Sequence, residues 1–475
     1  MSGWQRTDDP TPSDGTAVRS RAPKSAGSPR RRRTDSDYKR LWHASRTGEA
    51  AAPYPRRIIV SPAKHVPKES NVTNKPTGRR TFRAFSAIAA AAVIVASSSI
   101  VFAGSLSDPN YKEGFGKDAT GGAGQPICLV TVSSGTGPGT LDACFQPGNR
   151  AANTQIHFTV STVTPYFTRY VGSNVTIDGC ANGMNGVTID APATDKRSLV
   201  LEDPATNVII RCLNFRSTGT PNSSAVEFDL LSLDGTNGGS ISNVFIDRCT
   251  FMQASDGALD ITGNVSNITV QRSLFYGNAI TQLIKYGTRQ NLSLHHNVYV
   301  HNGERNPQIK GDVRLLDFVN NVIYINSGDV TNYTDSSPTD PYGLRIWNAG
   351  GTSDSPGNVA INVTASAHIG NKGTIELITD SGASAAGVYI GPNLCAPTSN
   401  CPASPRALPN TVPTAYAVTT LATDTLKQEM LPFVGAPNRK TLDQQRLDEV
   451  AAVLPGSVTP PPNIPPATPS NLTVR

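Results

Sequence analysis

Aromatic residues make up only 6% of this 475-residue sequence and charged residues only 16%. With 41 glycines and abundant Asn, Ser and Thr, that shortage of large side chains suits many turns around a thin stacked core better than a large globule. No C-x-x-C pair occurs among the seven cysteines, so neither a zinc ribbon nor a dithiol redox site is indicated. No helical stretch is long enough for a βαβ crossover. Positive charge is also missing from most of the chain. Residues 1–103 hold 19 Lys and Arg against 7 Asp and Glu, and residues 104–475 hold 23 against 29, so the overall +6 resolves into +12 and −6. That balance argues against a nucleic-acid partner, since affinity for phosphate backbones rests on clustered positive charge. A polyanionic ligand would need some other source of neutralisation.

The length fits two or three average domains or one large repetitive one. Residues 1–78, with "RSRAPKSAGSPRRRRTDSDYKR", read as a basic disordered extension without apolar period. Residues 79–103 read as an export signal: Arg79 and Arg80 precede an apolar run from Ala84 to Ala103 that ends in small residues, in a twin-arginine-like arrangement. The alternative is an uncleaved anchor, although the run barely reaches the ~17 to 20 residues that a span requires. The expectation is a secreted protein with no stable membrane association once the signal is removed. In that setting Cys128/Cys144 and Cys395/Cys401 are candidate disulfides, and Cys180, Cys212 and Cys249 leave at least one thiol over. Residues 454–475 form a proline-rich tail whose end resembles the start of a fibronectin type III module.

Between signal and tail, residues 104–453, one outline recurs: "SNVTIDGC" at 173, "TNVIIRCLNF" at 206, "SNVFIDRCTF" at 242, "SNITVQRSLF" at 266 and "QNLSLHHNVY" at 290. Each is a short alternating β pattern introduced by a small polar residue and Asn. A period in the twenties predicts an all-β solenoid, a parallel β-helix; a β-sandwich, the competing all-β reading, has no need of a fixed interval. Asn297 and Asn321 continue the spacing and are expected to stack through hydrogen bonds at a turn. His295 and His296 are expected to be structural, one inward and one outward.

Coils of such a rod bring together residues that share a position in the repeat. Glu227, Asp229, Asp256 and Asp260 fall about one coil apart, and Arg305 and Lys310 follow two coils later. Converging carboxylates repel one another unless a cation sits among them, and oxygen-only ligands suit Ca²⁺. The plainer reading of acidic pairs is solvated surface.

From about Gly139 to Val450 the chain resembles the pectate lyase family, through "GTLDACF", "VGSNVTIDG", "SNVFIDRCTF", "DGALDIT", "LHHNVYVHNGERNPQIKG", "LLDFVNNVIY" and "VGAPNRKTLDQQRLDEV" in that order. The resemblance implies a right-handed single-stranded parallel β-helix, a pectin-lyase-like solenoid. It implies calcium ligands at Asp229, Asp256 and Asp260 with Glu227 as a fourth, a catalytic base at Arg305, and a substrate-binding cation at Lys310. The implied reaction is β-elimination on polygalacturonate or pectin by a monomer. An arginine base needs help: its free pKa is ~12.5 to 13.8, and working near pH 9 asks for roughly 5 to 6 kcal/mol. Calcium, Lys310 and alkaline conditions are expected to share that load by favouring the neutral form.

The sequence departs from the family at Ile280, where a substrate-binding lysine is expected, at Arg248 in place of a histidine, and at Lys310 in place of an arginine. Lys285 and Arg248 are the candidates to compensate as substrate-binding cations. Three rivals have discriminating features. A polygalacturonase would carry N-T-D and G-H-G motifs, which are absent, and a calcium-independent pectin lyase would replace the acidic cluster with basic residues. A non-catalytic wall-binding β-helix would keep the scaffold without the chemistry.

Overall fold

The computed structural model describes residues 105–191, 198–217, 229–329, 341–348, 359–379, 387–401, 414, 416 and 418–456. The chain divides into two units, Met1–Ala96 and Ser97–Arg475, and all described residues belong to the second. The basic extension, the export signal, Glu227 and the tail beyond residue 456 lie outside the described residues.

Among the described residues the chain winds through three parallel sheets of ten, nine and nine strands, called here sheets I, II and III. It is a right-handed parallel β-helix, as the repeats and the resemblance led one to expect. The repeated segments are the strands of sheet I: Val175–Asp178, Ala205–Arg211, Ile241–Asp247, Val265–Gln271 and Arg289–His295. Their shared asparagines have a structural cause. Asn243, Asn267 and Asn291 take positive φ values of 54°, 56° and 58°, a region Asn tolerates better than most residues. Each passes its side-chain amide to the next, Asn267 donating to Asn243 at 3.1 Å and Asn291 to Asn267 at 2.9 Å.

Inward positions repeat aliphatic and aromatic residues at the same register. Phe215, Phe251, Phe275 and Tyr299 stack face to face with centroid spacings of 5.0, 4.8 and 4.7 Å, the strand spacing itself. Asn297 and Asn321 form the expected ladder: Asn321 Oδ1 accepts both the backbone N–H and the side-chain amide of Asn297 at 3.0 Å. Disulfides join Cys128 to Cys144, Cys180 to Cys212 and Cys395 to Cys401, and Cys249 keeps a buried thiol.

The expectation for the histidines needs correction. Both His295 and His296 are fully buried, with their Nδ1 atoms 2.8 Å apart. The reason is a strap that the repeat pattern did not reveal: residues 111–122 lie flat on sheet I, with Phe115, Gly116 and Gly122 donating backbone N–H groups to the hydroxyls of Ser293, Thr269 and Thr176. Gly116 permits that approach, since a Cβ there would stand 2.2 Å from the Val244 carbonyl oxygen. Burial lowers the pKa of His295 to about 3 and that of His296 well below the ordinary value.

Sheet II is covered by a helix, Thr441–Val453, that the sequence reading also missed. Leu447, Val450 and Leu454 join Met430 and Leu431 against Leu274, Tyr276, Val298 and Val300. The helix start is tied to the sheet as well: Asp443 accepts the Lys440 N–H at 2.9 Å and the Tyr276 hydroxyl at 2.6 Å.

Candidate active site

Sheet III positions the predicted residues. In its strand Leu259–Gly263, Ile261 points into the core, so by alternation Asp260 and Thr262 face out. Asp260 pairs in register with Ser232, whose hydroxyl donates to Asp229 at 2.5 Å. Both carboxylates crowd over Gly257, where a Cβ would stand 2.4 Å from Asp260 Oδ1 and 2.7 Å from Asp229 Oδ1. A larger residue at this point of the "DGALD" segment would have to push the two carboxylates aside. Asp260 Oδ1 also accepts the Leu283 N–H at 2.9 Å. Its pKa is raised well above the usual carboxylate range by burial first and then by Asp229 and Asp256, with Arg305 and the Leu283 N–H opposing.

Arg305 reaches this cluster through the stacking of coils. Gly257, Ile280 and Glu304 form successive parallel bridges just before sheet III, and Arg305 follows with its carbonyl accepting the Gln282 N–H at 2.8 Å. Its φ of 64° is strained for a non-glycine residue. Its Nε is buried without a hydrogen-bond partner. Burial depresses its pKa, but Asp260 and Asp256 more than reverse that and the net displacement is upward. This is opposite to the lowering by positive neighbours that the sequence predicts. Lys310 instead lies with its Nζ 4.1 Å above the Trp347 ring, and acids are the charges that dominate at Arg305.

Lys285 stands in the outward column next to that of Asp260, register-paired with Thr262, and its Nζ donates to the Tyr286 hydroxyl at 2.9 Å. Lys310 comes one coil later, since Leu283 and Ile284 pair with Gln308 and Ile309. Asp229, Asp256, Asp260, Arg305, Lys285 and Lys310 thus all stand on or beside sheet III. Arg248 does not. It sits at the corner between sheets I and II with φ 48°, its Nε 3.5 Å from Asp247 and its guanidinium beside Cys180. The repeat carries it to another wall of the coil, so it is withdrawn as a substrate-binding residue of this site. Ile280 occupies the step between Gly257 and Glu304 where the family lysine was expected.

The acidic trio suits a hard cation: its donors are all oxygens, the Gly257 gap brings two of them together, and Asp229 and Asp256 add to burial in disfavouring the charged form of Asp260. It is more open than a closed site. Among the described residues, the group with ligand atoms all within 4.8 Å of one another is Asp178, Cys180 and Cys212, and its two sulfurs are consumed in a disulfide. Sequence reasoning missed Gly257 and Trp347, although the glycine between two acids was visible.

No family model matches the chain. It is 31% identical over 216 residues to a probable pectate lyase C of Aspergillus flavus, covering 45% of this chain and 46% of that protein. It is 28% identical over 242 residues to a probable pectate lyase C of Aspergillus terreus, covering 50% and 52%. The chain thus spans about half the length of the curated relatives it matches. Among solved structures, jun a 1, the major allergen from cedar pollen, superposes with a TM-score of 0.52 at 16% identity, over 69% of this chain and 93% of the allergen. In sequence the chain is a relative of the pectate lyases, and it is built as a right-handed parallel β-helix.

Proposed function

We propose that this β-helix is a secreted, monomeric pectate lyase that cleaves 4-linked polygalacturonate by calcium-assisted β-elimination. The observation that carries the reading is the approach of Asp229 and Asp260 over Gly257 beside sheet III, with Arg305 two coils on and within electrostatic reach of Asp260 and Asp256, in a relative of the pectate lyases. Asp229, Asp256 and Asp260 would hold calcium, with Glu227 as a further ligand. Calcium supplies charge to bind uronate carboxylates and to stabilise the negative charge developing beside C5.

The chain's own groups do the rest. Arg305 takes the C5 proton on a guanidine nitrogen, and the freed electron pair becomes the C4–C5 double bond. The C4–O bond breaks with its electrons on the departing sugar oxygen, which takes a proton from solvent. Asp256 and Asp260 hold Arg305 charged while they face it, so they have to be engaged elsewhere before it can act as base. Lys310 and Lys285 meet the substrate carboxylates as cations on one column.

The test is incubation with polygalacturonate, with and without calcium, following absorbance of the unsaturated product. A calcium-dependent rise that Arg305→Lys abolishes, with calcium binding intact in the variant, is the expected result. Unchanged turnover in Arg305→Lys would refute the base. A second reading, a wall-binding β-helix without catalysis, is favoured by Ile280 and by the upward displacement of the Arg305 pKa. It requires binding of polygalacturonate with neither absorbance nor new reducing ends.

A further inference from the structure

The outward column carrying Lys285 and Lys310 does not end at the second lysine. Lys310 pairs in register with Trp347, on the next strand, Leu344–Asn348. The indole is half-buried, stands outward beside Arg345, and has the Lys310 ammonium over its face at 4.1 Å. Ile346 between them fills the core, so Trp347 adds nothing to the inward stack. A large aromatic ring standing out on a strand that faces the proposed substrate needs a reason.

We infer that Trp347 and Lys310 form a subsite for one uronate ring of the polymer, one coil beyond Lys310 and away from Asp260. The inference rests on the proposed lyase reading and adds a residue to it. The chemistry is a division of labour. A pyranose ring has an apolar face of axial C–H groups that packs on an aromatic plane, and a uronate also carries a carboxylate at its rim. Lys310 is a flexible point charge resting on that plane. A carboxylate drawn to Lys310 lifts the ammonium from the ring, and the sugar's C–H face takes its place. Such a pair discriminates: a neutral hexose offers the face without the charge, and a methyl-esterified uronate also lacks the anion, so both leave Lys310 competing for the ring.

The chain's three tryptophans are Trp4, Trp42 and Trp347, which provides a direct readout. In the full-length chain carrying Trp4→Phe and Trp42→Phe, Trp347 is the single indole, and Arg305→Lys added to it stops turnover during titration. Hexagalacturonate with calcium is expected to give a saturable change in tryptophan emission, and its methyl-esterified form a much weaker one. Against the otherwise unaltered chain, Trp347→Ala is expected to raise KM for hexagalacturonate about tenfold with kcat changed far less, and Trp347→Phe is expected to restore most of the affinity. A flat emission titration, or unchanged KM in Trp347→Ala, while the parent chain cleaves polygalacturonate normally overturns the subsite and leaves the lyase reading standing. A parent chain that neither binds nor cleaves polygalacturonate overturns both.

Discussion

On sheet II the outward column Met252, Tyr276, Val300, Tyr324, Ile369 is apolar along most of its length and lies under the helix Thr441–Val453 and Met430. On sheet III the corresponding columns read Ser232, Asp260, Leu283, Gln308, Arg345 and Asp234, Thr262, Lys285, Lys310, Trp347. Behind both faces stands the same kind of interior, one buried residue per coil at fixed register. The difference separates two tasks that share a backbone. Strand alternation and coil spacing fix where a side chain will stand, and the residue type at the outward position decides whether that wall is sealed or presents charge. The acids gather on sheet III, which among the described residues is covered neither by the helix that lies on sheet II nor by the strap that lies on sheet I.

The sharpest way to break the comparison is to touch one wall without the other. Gly257→Ala pushes a methyl into Asp260 and Asp229, so the carboxylates must separate. Lyase turnover is expected to fall on the order of 100-fold, as misplacement by about an ångström can cost, with the circular-dichroism spectrum retained. A variant with wild-type turnover would show that Asp229 and Asp260 need not converge.

Leu447→Ala is the converse on sheet II. Leu447 is 2% exposed against the sheet, and its truncation is expected to lower unfolding free energy by about 2 to 5 kcal/mol. Calcium-dependent turnover below the unfolding transition is expected to stay unchanged. A loss of turnover in the folded variant would mean that the walls are coupled.

How far this division could be read from residues alone differs between the walls. The repeated "SN" and the aliphatic alternation encode sheet I directly, because each strand must turn through a positive φ at the same place. The acid cluster was legible because Asp229 and Asp256 fall about one coil apart, whereas Arg305 stands level with Ala258, between the positions of Asp256 and Asp260. Arg248 was misplaced because it was named from the resemblance, as the cation in place of a family histidine, and its register puts it at the corner between sheets I and II. The strap over His295 and His296 escaped because its glycine-rich stretch has no period, and the C-terminal helix because its apolar positions, Leu447 and Val450, are few and gain meaning only against sheet II. Trp347 is isolated in sequence and joins Lys310 only through register.

The smallest expected effect lies where the covering helix is pinned. His301 is 2.9 Å from Asp329 and 2.7 Å from Glu449, which also pairs with Arg446, and the Tyr324 ring packs beside it at 5.2 Å. The Asp329 hydrogen bond, aided by Glu449, raises the His301 pKa against burial and Arg446. A raised folded-state pKa means that the charged form is favoured on folding, so the contribution is fully present below the unfolded value of about 6.5 and is lost as pH rises through the folded one. Glu449 is substantially exposed and Arg446 competes for it, so the gain is expected to be less than about 1 kcal/mol. Comparing urea unfolding at about pH 6 and about pH 9, the drop in stability of the parent chain should exceed that of His301→Gln by that amount. Equal drops would remove His301 from the docking of the helix and leave the apolar contacts of Leu447 and Val450 to hold it.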